Sequence, residues 1–206
     1  MIHLASIVAP TTRDFAHAVD VIGSRNVLTA CIAHGVKRLV VTSSGAAYGY
    51  HADNAIPLVE SDPMRGNPEF AYSDHKRQVE EMLAKARAEV PELEQVVLRV
   101  GTVLGAGLEN QITALFHKPR LLALAGCESP FVFIWTRDLA RILQRAISQG
   151  PEGIYNVAGF GRGFGQTSAT AAGLAAQAGA GHRPSAETIT LWTQSSTVSA
   201  ISPGVG

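Results

Sequence analysis

Cysteine is scarce: Cys31 and Cys127 are the only two in 206 residues. They are too few and too far apart for a disulfide framework or a thiolate zinc site, and they read as reduced thiols. Charge bias is missing too. Seventeen basic residues balance seventeen acidic ones, which removes the electrostatic basis for binding nucleic acid or an anionic membrane. No apolar run approaches the ~20 residues of a membrane span. The opening Met-Ile-His-Leu-Ala-Ser-Ile-Val lacks the basic leader of a secretory signal, so a cytoplasmic location is expected. Seven histidines, at 3, 17, 34, 51, 75, 117 and 182, show no metal-ligand spacing. Trp135 and Trp192 read as packing residues rather than as stacking platforms.

What remains is a balanced, moderately apolar chain, 46% hydrophobic and 17% charged, of a length that suits one domain with its own core. Strand and helix patterns alternate along it. Ile2 to Val8 reads as a buried strand. Asp14 to His34 reads as a helix with Phe15, Val19, Ile22, Val27 and Cys31 inward and Gly35 at its exit. Lys37 to Thr42 and Gln95 to Arg99 are further buried strands. A short helix over Leu108 to Phe116, a longer one over Arg137 to Gln149 and a last strand over Gly153 to Val157 complete the series. Strands alternating with helices of this length predict an α/β fold, a parallel sheet with helices on both faces. From Phe160 onward only Arg162, Arg183 and Glu187 carry charge, and Gly, Ala, Ser and Thr dominate. Residues 160–206 are therefore expected to be a poorly ordered, low-complexity tail.

Asn67 to Glu80 concentrates the chemistry. Asn67 can cap a helix whose first position suits Pro68, and Val79, Met82, Leu83, Ala86 and Val90 form its apolar stripe before Pro91 ends it. Tyr72 and Lys76 stand four residues apart, on one face. An ammonium held beside a phenol favours the phenolate, and one turn of helix thus makes tyrosine a workable acid/base. His75 reads as a solvated or packing residue. The Lys37–Thr42 strand runs into Thr42-Ser43-Ser44-Gly45-Ala46-Ala47-Tyr48-Gly49, which places hydroxyls beyond a strand's carboxyl end, where open α/β sheets bind ligands.

Taken together, these residues resemble the extended short-chain dehydrogenase/reductases, the NAD-dependent epimerase/dehydratase family. His3-Leu4-Ala5 is similar to that family's fourth strand, Thr42 to Gly49 to its serine segment, and Tyr72-x-x-x-Lys76 to its acid/base pair. Val97-Leu98-Arg99, Phe133 to Ala140 and Ile154 to Gly159 follow in the family's order, so the likeness covers residues 1–159. The resemblance implies a Rossmann-like domain binding NAD or NADP and a small-molecule substrate with a hydroxyl or carbonyl. Tyr72 would be the acid/base, Ser44 would hydrogen-bond the reacting oxygen, and Lys76 would hold the nicotinamide ribose and keep the tyrosine pKa low. Leu4, Ala5, Thr42 and Val100 match positions that border the cofactor. Pairing of the helices Asp14–His34 and Phe70–Val90 would give a homo-oligomer.

The departures carry expectations as well. No G-x-x-G-x-x-G or G-x-G-x-x-G occurs, and the chain opens at the counterpart of the fourth strand. The expected fold is thus a partial Rossmann-like sheet with an uncapped edge, incomplete for cofactor binding. Thr102 replaces the asparagine of nucleotide-sugar epimerases, which argues against a UDP-sugar. Gly45 and Ala46 replace the acidic pair of sugar dehydratases, which argues against dehydration. Asp20 stands where the family has an asparagine. The alternative to an oxidoreductase or epimerase is an inactive truncated relative serving as a binding or oligomerisation module; an incomplete gene product or a frame-shifted tail would also fit.

Overall fold

A computed structural model describes residues 1–8, 11–108 and 132–159. Four parallel strands form its main sheet in the order β1 (Ile2–His3), β2 (Arg38–Ser44), β3 (Glu94–Val100) and β6 (Gly153–Val157). A second, two-stranded parallel sheet pairs β4 (Thr102–Leu104) with β5 (Phe133–Trp135). Three helical stretches cover the main sheet. One runs through α1 (Arg13–His17), a π-helical turn (Ala18–Ile22) and α2 (Gly23–Ala33); the others are α3 (Ala71–Glu89) and α4 (Thr136–Ser148).

Alternation along β2 and β3 explains the two-sided burial. Leu39, Val41 and Val97 face α2 and α3, where they meet Leu28, Cys31, Val79 and Leu83. Val40, Val96, Leu98 and Val100 face the other way and pack on Ile142 and Ala146 of α4. The strands therefore read as unbroken apolar runs, as strands covered on both faces do. The α3 stripe packs as its spacing predicts, with Val79, Leu83 and Ala86 buried and Met82 and Val90 against the same cluster. Among the described residues no helix is long and apolar enough to cross a membrane. The expected helix over Leu108 to Phe116 and the tail 160–206 lie outside the described residues.

Several boundaries differ from the pattern, each for a physical reason. β1 holds only two residues rather than seven; beyond His3 the chain leaves β2, and Leu4 is exposed. Asn67 does not cap α3, which begins at Ala71 after Phe70 with no side-chain cap. Its amide is engaged elsewhere: Oδ1 accepts from the Tyr50 amide at 2.7 Å, and Nδ2 donates to Glu69. Phe15 points to solvent and Ala16, Asp20 and Val21 take the inner positions there, whereas Cys31 is buried and Val27 packs against the same core as expected. Gly49 allows the chain to leave the serine segment. Its φ is +82°, and a Cβ there would sit 2.5 Å from the Gly66 carbonyl oxygen, so no other residue fits without displacement.

Asp74 fastens α1 to α3. It accepts from Arg13 of α1, from Arg77 at 2.8 Å and from Gln78 at 3.0 Å. Burial alone would push its carboxyl up, but Arg77, Gln78 and Arg13 outweigh burial and hold it below its ordinary value. A depressed carboxylate adds stability above its unfolded pKa and loses it as pH falls through the folded one. Asp74→Asn is accordingly expected to cost about 1 kcal/mol near neutrality, a modest figure because Arg13 is half exposed. In urea titrations across pH, the gap between the variant and the parent should close below about pH 4; a gap constant down to pH 2 would remove the electrostatic explanation.

Candidate active site

β2 delivers the serine segment to the carboxyl end of the sheet. Ser44 is its last residue, and its hydroxyl accepts from the Ala46 amide at 3.2 Å, capping a short 3₁₀ turn over Gly45–Tyr48. Ser73, in the first turn of α3, donates to the Ala46 carbonyl at 2.6 Å. Helix and serine turn are thereby locked together, which fixes Tyr72 relative to Ser44. The Ser44 hydroxyl neighbours the Tyr72 phenol and draws its pKa down against burial. One turn along α3, Lys76 Nζ stands 5.6 Å from the centre of the Tyr72 ring and donates to the Thr42 carbonyl at 3.2 Å. Four sequence-predicted residues, Thr42, Ser44, Tyr72 and Lys76, thus meet in one place. Leu4 and Ala5 lie exposed just beyond β1. Val100 does not join them: its side chain enters the core on the α4 face, opposite α3.

Tyr72 is pushed up by burial, with Asp20 and Tyr50 acting in the same direction and Ser44 opposing. The Lys76 ammonium, meanwhile, donates to the Thr42 carbonyl. Burial also pulls Lys76 below its ordinary value, against the raising influence of Asp20 and Glu80. The phenol consequently holds its proton, and the site rests in its acid form. Phe70 stands beside Tyr72 with 6.2 Å between ring centres, and Tyr50 is 6.0 Å from Phe70, so exposed aromatic surface flanks Tyr72.

Sequence reasoning missed the polar support under this site. Glu80 accepts from Arg99 Nε at 2.9 Å and Nη2 at 2.6 Å and from the Ser43 hydroxyl at 2.5 Å. Arg99 Nη1 reaches the Tyr48 hydroxyl and the Glu60 carbonyl, and Tyr48 donates to Asn156 Oδ1. Arg99 offered a signal: an arginine inside an otherwise apolar strand demands a buried partner. His75 is fully buried, the packing alternative of its two readings. His3 is buried as well, with Nε2 2.8 Å from Ser24 Oγ.

Residues 1–158 match the NAD-dependent epimerase/dehydratase family. The sterol-4-alpha-carboxylate 3-dehydrogenase (decarboxylating) of Schizosaccharomyces pombe is 34% identical over 107 residues, 52% of this chain and 31% of that protein. Its Saccharomyces cerevisiae counterpart is 31% identical over 121 residues, 59% of this chain and 34% of that one. The chain thus spans about a third of the length of these curated relatives. Among solved structures, the UDP-glucose 4-epimerase of Thermotoga maritima superposes with a TM-score of 0.63 at 22% identity, over 76% of this chain and 54% of that one; at that identity the likeness speaks for the fold alone. With a match across most of its length and a parallel sheet of the same kind, the chain belongs to the NAD-dependent epimerase/dehydratase family.

Proposed function

We propose that the chain carries the catalytic side of an NAD(P)-dependent oxidoreductase or epimerase, acting on a small molecule with a hydroxyl or carbonyl through Ser44, Tyr72 and Lys76. The observation that carries this reading is the meeting of the three side chains at the carboxyl end of β2. The donor set suits the nicotinamide end of a dinucleotide: a buried ammonium, a phenol and a serine hydroxyl lie within one turn of helix and one strand end. Lys76 would hold the nicotinamide ribose, with the Thr42 carbonyl and the residues at Leu4 and Ala5 bordering the cofactor. Residues 1–159 would then be the carboxyl-side part of the dinucleotide-binding domain, without the Gly-rich turn that binds pyrophosphate. When bound, the nicotinamide supplies hydride transfer.

The residues present account for the proton. Burial keeps the Tyr72 hydroxyl protonated, so in the reducing direction it can give that proton to a carbonyl oxygen. Ser44, held beside Tyr72 by the Ser73–Ala46 hydrogen bond, is placed to donate to the same oxygen and stabilise the charge it develops. In the oxidising direction Tyr72 must first lose its proton, and a cation brought near its hydroxyl would favour that.

Titration of the full chain with NADH and with NADPH, followed by nicotinamide fluorescence, tests the reading. Saturable binding is expected for one of the two, weakened about tenfold or more by Lys76→Met through loss of a charge-assisted hydrogen bond. Absence of saturable binding by either, together with no turnover of alcohols or ketones, would sink the proposal.

A further inference from the structure

A row of aromatic rings leads up to Tyr72 from the solvent side. Tyr50, just past the serine turn, is 69% exposed, and Phe70, the residue before α3, is 46% exposed. Ring centres of Tyr50 and Phe70 stand 6.0 Å apart and those of Phe70 and Tyr72 6.2 Å apart, with tilts of 39° and 43°. The row thus ends on the phenol to which proton transfer is assigned above. Large rings left facing water cost free energy, and an apolar surface that adjoins a few polar groups is the usual makeup of a ligand site.

One residue fixes the main chain under both rings. Asn67 is 7% exposed; its Oδ1 accepts from the Tyr50 amide at 2.7 Å, and its carbonyl oxygen accepts from the Phe70 amide at 3.0 Å. Ser73, which joins α3 to the serine turn, lies 3.4 Å from the same Oδ1. The contacts that set Tyr72 against Ser44 therefore also set the two exposed rings, and a surface ordered in advance costs less to bind to.

Charge narrows the occupant. A nucleotide sugar carries a diphosphate, which calls for cations free to pair with it. The arginines of the surrounding segments already have carboxylate partners: Arg13 has Asp74, Arg65 has Asp53, and Arg77 has Asp74 and Glu81. Next to Phe70 in the chain stands Glu69, a negative charge.

We propose that Tyr50 and Phe70 form the substrate wall of this site, and that the substrate is an uncharged alcohol or ketone with an apolar ring body. The proposal names the substrate class for the function above and rests on the reading of Tyr72 as the acid/base. The ring body covers the two exposed rings, and its oxygen is the one polar point turned to Tyr72 and Ser44. Tyr50 and Phe70 take no part in proton transfer; they select the molecule that is held there.

Saturation-transfer NMR on the full chain, with and without oxidised dinucleotide, tests this with trans-2-decalone and UDP-glucose as separate probes. Decalone should bind saturably, and UDP-glucose about tenfold more weakly or not at all, since its diphosphate lacks a partner. Phe70→Ala and Tyr50→Ala should each weaken decalone about fivefold or more, because each removes an aromatic face from the contact. Phe70→Tyr keeps the ring and should hold parental affinity. Should a truncated variant not fold, the parent protein reads the same contact. With only four tyrosines and seven phenylalanines in the chain, intermolecular NOEs from decalone to the ring protons of Tyr50 and Phe70 can be assigned. Absence of those NOEs, no saturable decalone binding, a preference for UDP-glucose, or unchanged affinity in the folded alanine variants overturns the proposal. Dinucleotide binding without decalone at these rings rejects the wall alone; decalone at these rings without dinucleotide binding or turnover rejects the proposed function alone.

Discussion

Glu80→Ala should cost about 3–5 kcal/mol of folding stability, because it strands the Arg99 guanidinium in the interior. Both side chains of this pair are 4% exposed. Burial opposes the Arg99 charge, and Glu80, with Tyr48, outweighs that penalty. The loss would spread, since Arg99 also holds the Tyr48 hydroxyl and the Glu60 carbonyl, and the Glu60 side chain accepts from the Asn156 amide at 2.8 Å. Urea unfolding monitored by far-UV circular dichroism measures the effect. The double variant Glu80→Leu with Arg99→Met should recover most of it, since an apolar replacement of both partners removes the orphaned charge. A single variant that unfolds at the parental midpoint would show that water reaches the pair.

Tyr72→Phe should lower turnover by about 10²–10⁴-fold, the range for loss of a positioned general acid. Only the hydroxyl is removed, so the ring contact with Phe70 and the packing of α3 remain, and nicotinamide dinucleotide binding should change little. Ser44→Ala should have a smaller effect of about 10²-fold, as for one donor to a developing oxyanion. Steady-state rates and binding titrations on the same preparations separate the two contributions. If Tyr72→Phe turned over substrate at the parental rate, the proton would have to come from another group, and the site assignment would fail.

The outline of both fold and site could be read before any coordinates. Leu39 to Val41 and Val96 to Leu98 are apolar runs too short for helices, and the α3 stripe has a period that no strand shares. Tyr72 and Lys76 were legible because four-residue spacing is itself a geometric statement. Two of the misses, at Asn67 and Asp20, concern a polar side chain whose partner is remote in sequence. Asn67 looks like a cap until the Tyr50 amide takes its oxygen. Asp20 occupies an inner position that an apolar count rejects, so the face of the first helix was assigned by Phe15 instead. The apolar pattern over Ile2–Val8 overruns the observed β1 for a different reason. Apolar content alone cannot tell a paired residue from Leu4, which has left the sheet.

The strand order also constrains how this chain is made. β3 sits between β2, synthesised earlier, and β6, whose Val157 pairs with Val100 only after α4 has been completed. While the ribosome is still adding that stretch, Val96, Leu98 and Val100 present a greasy, half-built surface with one open flank. Arg38 must wait equally, since its guanidinium closes on the carbonyls of Ala146 and Gly150. During translation the nascent polypeptide therefore depends on late-arriving residues to shield its centre, and synonymous pauses placed before codon 153 would prolong its exposure to aggregation.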